Sequence, residues 1–298
     1  MTQVTREQLS GISNPAPAKA AIAKALNEAH AGGALALIAF FNHYASWNGN
    51  FAGCMTRLAA DVSEAKNVFL DPDTLYLRDR ANVVASHIFD TVRDEFDDSG
   101  TTHRDTHRTL AQALIHGLIQ YYNVTSVQDI QTALAPKPSI DFALRELGAG
   151  FSPNTKLGLF EGIGFHLGSE FFGDVEYTMI DTWLGENLPE VQAYLKKTSV
   201  PIDGVEHNCY AWIHIHSGGD DGKGVEADHF EMAISGANKA LHFAAWDKNV
   251  CHDAILYGAK KFAEQQTQFF ETVNASVQEV DQLQQAAETR LAIRRSIV

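Results

Sequence analysis

Lys260–Arg295 reads KKFAEQQTQFFETVNASVQEVDQLQQAAETRLAIRR, and within it Phe262, Phe269, Val273, Val277 and Val280 recur at intervals of seven, four, four and three. That spacing lines the apolar residues along one side of an α-helix and leaves Gln, Glu, Asp and Arg on the others, the mark of a core-facing stripe. No proline occurs in the 97 residues after Pro201, and the whole chain has only eight, at 15, 17, 72, 136, 138, 153, 189 and 201. Proline breaks helix interiors, so the long spans between these positions can all be helical.

Upstream spans follow the same rule. Ala18 to about Glu64 opens with the alanine-rich AKAAIAKALNEAHAGGALALIAFF, which Gly32 and Gly33 can split in two. Between Asp73 and Phe96, Leu77, Val84, Ile88 and Val92 have helical spacing; after the loop DDSGTT, Leu110, Leu114 and Leu118 mark the next helix. NTKLGLFEGIGFHLGSEFFGDVEYTMIDTWL, after Pro153, is a long helix whose glycines suit close packing, and LPEVQAYLKKT is a surface helix. Alternating strand patterns with two-residue hairpin turns are not expected. The fold class is all-α: one domain over 1–298 with roughly seven to ten helices. Residues 1–17 are expected as a flexible N-terminal segment and 255–298 as a long C-terminal helix.

Composition excludes several partners. A net charge of −14 disfavours nucleic acid and anionic membrane surfaces, which require basic patches. Cys54, Cys209 and Cys251 are scattered and form no CxxC, so neither a disulfide framework nor a thiolate zinc site is expected. No signal-peptide pattern and no membrane-length apolar run occurs, and a reducing cytoplasm is the simplest setting. Motifs for dinucleotides, P-loop nucleotides, zinc proteases and serine hydrolases are missing.

Three segments each offer carboxylate with imidazole, the donors that divalent iron, manganese or zinc accept. In VRDEFDDSGTTHRDTHRTL, Asp94 and Glu95 end one helix, while His103 and His107, spaced i,i+4, open the next. Acids at a helix C-terminus oppose its dipole and call for a nearby cation. In FEGIGFHLGSEFFGDVEY, Glu161, His166, Glu170 and Glu176 sit among apolar residues; Glu170 is the stronger inward candidate and Glu161 the second. Tyr210–Met232, YAWIHIHSGGDDGKGVEADHFEM, places His214 and His216 before a glycine-rich break, and Glu226, Asp228 and His229 after it. One of His214 and His216 should point inward; Glu226 and His229 share a face, with Asp228 and Glu231 facing away.

This order of motifs resembles the heme-oxygenase-like diiron oxidases and oxygenases, fold relatives of thiaminase II and pyrroloquinoline-quinone synthase. The likeness runs over residues 33–245, through Arg93-Asp94-Glu95-Phe96, His107-Arg108-Thr109-Leu110, Gly164 to Glu170, and the Glu226–His229 pair. It implies a heme-oxygenase-like helical bundle holding two Fe(II) ions. Glu95 and His107 would serve one iron and Glu170, His216 and Glu226 the other, with His229 completing the set; Glu161, His214, Asp228 and His103 are lesser candidates. It further implies an O₂-dependent oxidoreductase that desaturates, hydroxylates or cleaves a small polar, amino-acid-like substrate. Two features depart from the family. HYASWNGNFAGCM supplies His43, Asn48 and Asn50 where a glutamate is usual, the nearest acids being Asp61 and Glu64, and SGGDDGKG interrupts a ligand helix. The alternatives are a metal-free enzyme of the same fold acting on a cofactor precursor, and a helical binding module whose C-terminal stripe pairs two copies into a homodimer. Lys156, Arg145 and Arg104 are the cations considered for a substrate carboxylate.

Overall fold

A computed structural model describes residues 3–71, 75, 76, 78–98, 101, 103–152, 155–218 and 225–297, with the side chains of 174, 225–227, 287, 288 and 290–297 left aside. The chain is mostly helical: α1 (Arg6–Ile12), α2 (Ala16–Ala31), α3 (Gly33–Asn48), α4 (Phe51–Glu64), α5 (Asp79–Phe96), α6 (His107–Tyr121), α7 (Val127–Ala133), α8 (Pro138–Gly150), α9 (Lys156–Asn187), α10 (Pro189–Lys197), α11 (Ala211–Ser217), α12 (Val225–Phe243) and α13 (Lys248–Ile297). That is more helices than expected, because short capped turns such as α1 and α7 count as separate elements.

The 50-residue α13 is the spine, packed on α9, α2, α3 and α8. Phe262, Phe269, Val273, Val277 and Val280 are all buried in this packing. The stripe considered for pairing two copies is therefore already covered within the chain. At about 25 cal/mol per Å² of apolar surface, re-exposing it would be costly. The crossing of α9 with α13 depends on glycine: a Cβ on Gly164 would run into the carbonyl of Ile255, and one on Gly258 into that of Glu161. Such close backbone approach leaves no space for any side chain.

Gly33, with φ of 79°, divides α2 from α3 as the sequence suggests. The N-terminal segment expected to be flexible contains α1, closed by a capping box between Thr5 and Gln8, with Val4 and Leu9 buried. A two-stranded hairpin corrects the expectation of no strands: β1 (Ser199–Ile202) pairs antiparallel with β2 (Val205–Asn208). Its turn is Asp203-Gly204, with φ of 50° and 80°. Asp-Gly readily adopts this doubly left-handed turn, which matches strand twist. Among the described residues no helix is long and apolar enough to cross a membrane.

Candidate functional site

The C-terminus of α5 and the N-terminus of α6 are held together by their loop, in which the Asp98 N–H donates to the Asp105 carbonyl at 3.1 Å. Thr106 caps α6, accepting from the Thr109 N–H, so the helix begins at His107. The buried His107 ring lies between two carboxylates, with Nδ1 3.1 Å from Glu95 Oε1 and Nε2 2.9 Å from Asp98 Oδ2. Next to Glu95, Asp94 serves another imidazole: its Oδ2 is 3.3 Å from His229 Nε2 on α12. The acids that oppose the α5 dipole thus each meet a ring that can carry positive charge.

From α9, Glu170 joins this assembly. His229 Nδ1 is 3.7 Å from its Oε2, and His166 Nδ1, one turn earlier, is 3.4 Å from its Oε1. His216 enters from α11, which ends at Gly218 in the left-handed region. Its Nδ1 lies 2.6 Å from the Trp212 carbonyl, so Nδ1 carries the proton and Nε2 the lone pair. Its ring stacks on Tyr177 at 4.1 Å and meets the His107 ring at 4.4 Å. Glu95, Glu170, Glu176, His216, His229 and Asn48 line one buried cavity of about 30 Å³. So small a cavity suits an ion or a few waters better than an organic substrate. Glu176 is further anchored by Tyr44, whose hydroxyl donates at 3.1 Å, and by Gln266, whose amide donates at 2.5 Å.

Burial and charge divide these groups. Burial, then the Glu95 charge, pushes the Glu170 carboxyl well above the carboxylate range. Burial pushes Glu176 up to about 8, against its hydrogen bonds from Tyr44, Gln266 and Asn48. Burial would pull His107 down, but Glu95 and Asp98 together outweigh it and raise the imidazole to about 10. His166 falls to about 3 and His216 well below its ordinary value, in both cases mainly through burial. The cluster therefore holds neutral, acceptor-competent imidazoles beside protonated carboxyls, a state in which protons occupy places that a cation would otherwise balance.

Of the expected residues, Glu95, Glu170, His216 and His229 line the cavity, and His107 is ion-paired to Glu95. The Glu226 side chain lies outside the described residues. His103 does not share a face with His107: the Thr106 cap starts the helix after it, and it stands exposed in a different pocket. His214 is also exposed there, on the opposite side of α11 from His216. Asp228 is exposed, and Glu161 is half-buried away from the cavity wall. Arg104 pairs with Asp97, Arg145 lies over Phe142 and Lys156 lines a surface pocket beside Asp61 and Glu64, so none of the three reaches the cavity. His43 is buried on Ser276, whereas Asn48 does reach the cavity wall from the early helix.

The sequence pattern does not single out Asp98, which is 1% exposed. Its only signal is the Asp97-Asp98 doublet, and only the tertiary fold sends Asp97 to Arg104 and Asp98 to His107. Nor does it single out Tyr177, since nothing in one sequence marks a ring that will stack on a histidine.

The donors suit divalent iron in kind, mixing neutral imidazole with carboxylate. The Nδ1 bond of His216 to a backbone carbonyl is the outer support that metal-bound histidines use. Asp94 Oδ1 and His166 Nδ1 are buried without a hydrogen-bond partner. Among the described residues, however, no three His, Cys, Asp or Glu side chains are arranged to hold one ion: His107 and His229 are turned onto carboxylates instead. Comparison with protein-family models, with curated proteins and with solved structures finds no match to this chain.

Proposed function

We propose that the cavity bounded by α3, α4, α5, α9, α11, α12 and α13 is a non-heme iron centre in a heme-oxygenase-like bundle, serving an O₂-dependent oxidation of a small polar, amino-acid-like metabolite. The observation that carries this reading is the convergence of Glu95, Glu170, His216 and His229, from four helices, on one buried cavity. Glu95, Glu170, His107, His216 and His229 would hold the metal. Bound iron would supply O₂ activation for attack on a C–H or N–H bond.

The protein's own groups have separate tasks. The Trp212 carbonyl fixes the His216 tautomer, and Tyr177 holds its ring plane. Asp98 orients His107, and Asp94 orients His229. Phe51, Met55 and Phe262 close the cavity with apolar surface and keep bulk water from the donors. Glu176, with Tyr44 and Gln266, stores a proton at the wall.

Anaerobic titration with Fe(II) tests the reading. About two irons per chain are expected, as in carboxylate-bridged bundles, with loss of most binding in Glu170→Ala and His229→Ala. Binding that is absent, or unchanged in both variants, would overturn it. A second reading, a metal-free enzyme acting on a cofactor precursor, is favoured by one observation: His107 stands as a charged acid between Glu95 and Asp98, in a cluster with no three-donor group among the described residues. Ligand turnover that survives thorough chelation would select that reading over iron.

A further inference from the structure

Along α9, Ser169, Glu170, Gly173, Glu176 and Tyr177 form the face turned to the buried cavity. Their spacing is that of one helical stripe. Glu176 follows Glu170 by six residues, which is about 9 Å of helix axis. Gly173 stands between them, so no side chain of α9 fills the space that separates the two carboxylates. Other acids of the cluster each face an imidazole: Glu95 faces His107, Asp94 faces His229, and Glu170 faces His166 and His229. Glu176 differs. It is 3% exposed, and its oxygens accept from the Tyr44 hydroxyl and from the Gln266 and Asn48 amides, all neutral donors. Among the described residues no lysine, arginine or histidine is paired with it. Glutamine could hold Tyr44 and Gln266 without a charge to bury, so packing alone gives no reason for an acid at this position.

We propose that Glu176 is a direct ligand of a divalent cation in this cavity, so that Glu170 and Glu176 hold one ion each on either side of Gly173. Two-ion sites place their metals about 3.5–4 Å apart, which fits between carboxylates whose Cα atoms are about 9 Å apart along a helix. The cation supplies the positive charge that the protein itself does not set beside Glu176. Tyr44, Gln266 and Asn48 are positioning residues, which fix the carboxylate from behind as the outer partners of metal ligands do. This role rests on the metal reading of the cavity, to which it adds a donor.

The test is titration of the full chain with Mn(II), the unbound ion being counted by electron paramagnetic resonance, so that the readout is binding and not turnover. The wild type is expected to take up about two ions per chain. Glu176→Gln, which keeps the Tyr44 and Gln266 bonds but removes the charged oxygen, should take up about one. Tyr44→Phe removes a supporting bond and leaves the carboxylate, so it should still take up about two, one of them held about tenfold more weakly. A purely structural role for Glu176 predicts the reverse order of damage. Two ions bound by Glu176→Gln at wild-type affinity, or an ion lost in Tyr44→Phe and not in Glu176→Gln, would overturn the assignment of Glu176 and leave the metal reading standing. Absence of binding in the wild type would overturn both.

Discussion

Replacing Glu176 with glutamine should make the metal-free protein more stable at neutral pH, although the residue is buried and hydrogen-bonded. Its carboxyl is raised from 4.5 in the unfolded chain to about 8 in the fold, chiefly by burial. A carboxyl raised in this way takes up a proton on folding. Its stability is complete below about 4.5 and is lost progressively as the pH rises toward 8. At pH 7 the loss spans 2.5 units (7 minus 4.5), or about 3 kcal/mol at 1.36 kcal/mol per unit. Glutamine does not titrate, and its amide can accept from Gln266 and donate to the Tyr44 oxygen, so both bonds survive. For a chain of this length, about 3 kcal/mol corresponds to roughly 5 °C in Tm. Urea unfolding in EDTA at pH 5 and pH 7.5 measures the effect. Glu176→Gln should match the wild type near pH 5 and exceed it at pH 7.5. Parallel pH profiles, or a variant less stable at pH 7.5, would refute the reasoning.

Three further outcomes are expected. Gly164→Ala should prevent close approach of α9 and α13 and cost more than about 3 kcal/mol, whereas Gly53→Ala, with nothing within 4 Å of the new Cβ, should be neutral or stabilising in the same urea unfolding assay. His43, pulled to about 4 by burial and by the Lys137 charge, stays neutral in the fold down to about that pH, so stability should drop by about 3 kcal/mol as pH falls from 6.5 to 4. His43→Gln should flatten that acid limb in a pH series of urea midpoints. Gly204→Ala, at φ of 80°, should cost about 1–2 kcal/mol in the same assay, because a Cβ is strained in the left-handed region.

The helical architecture was legible because its stripes are long and regular: five apolar positions on α13 and three on α6 all turned inward. Gly32-Gly33 marked a real break for the same local reason, a backbone conformation that favours glycine. The hairpin escaped because Pro201 and Glu206 hide its alternation, although Asp203-Gly204 was there to be read. At the site, Glu170 could be picked out because a carboxylate amid Phe, Leu and Gly must be satisfied by something. His216 rather than His214 as the inward ring follows from how α11 packs, which spacing alone leaves open. Spacing alone groups His103 with His107, but the cap at Thr106 decides where a helix starts and hence which residues share its faces. Asp98 acquires its role only when the loop closes on Asp105, a contact with no local signature.

A crystal of the protein grown with Fe(II) under anaerobic conditions and measured at the iron absorption edge offers the sharpest test. Anomalous peaks are expected among Glu95, His107, Glu170, His216 and His229, with the His107–Glu95 and His229–Glu170 pairs opened around them. A map with no peak there, and His107 still seated between Glu95 and Asp98, would contradict the assignment of this cavity as an iron centre.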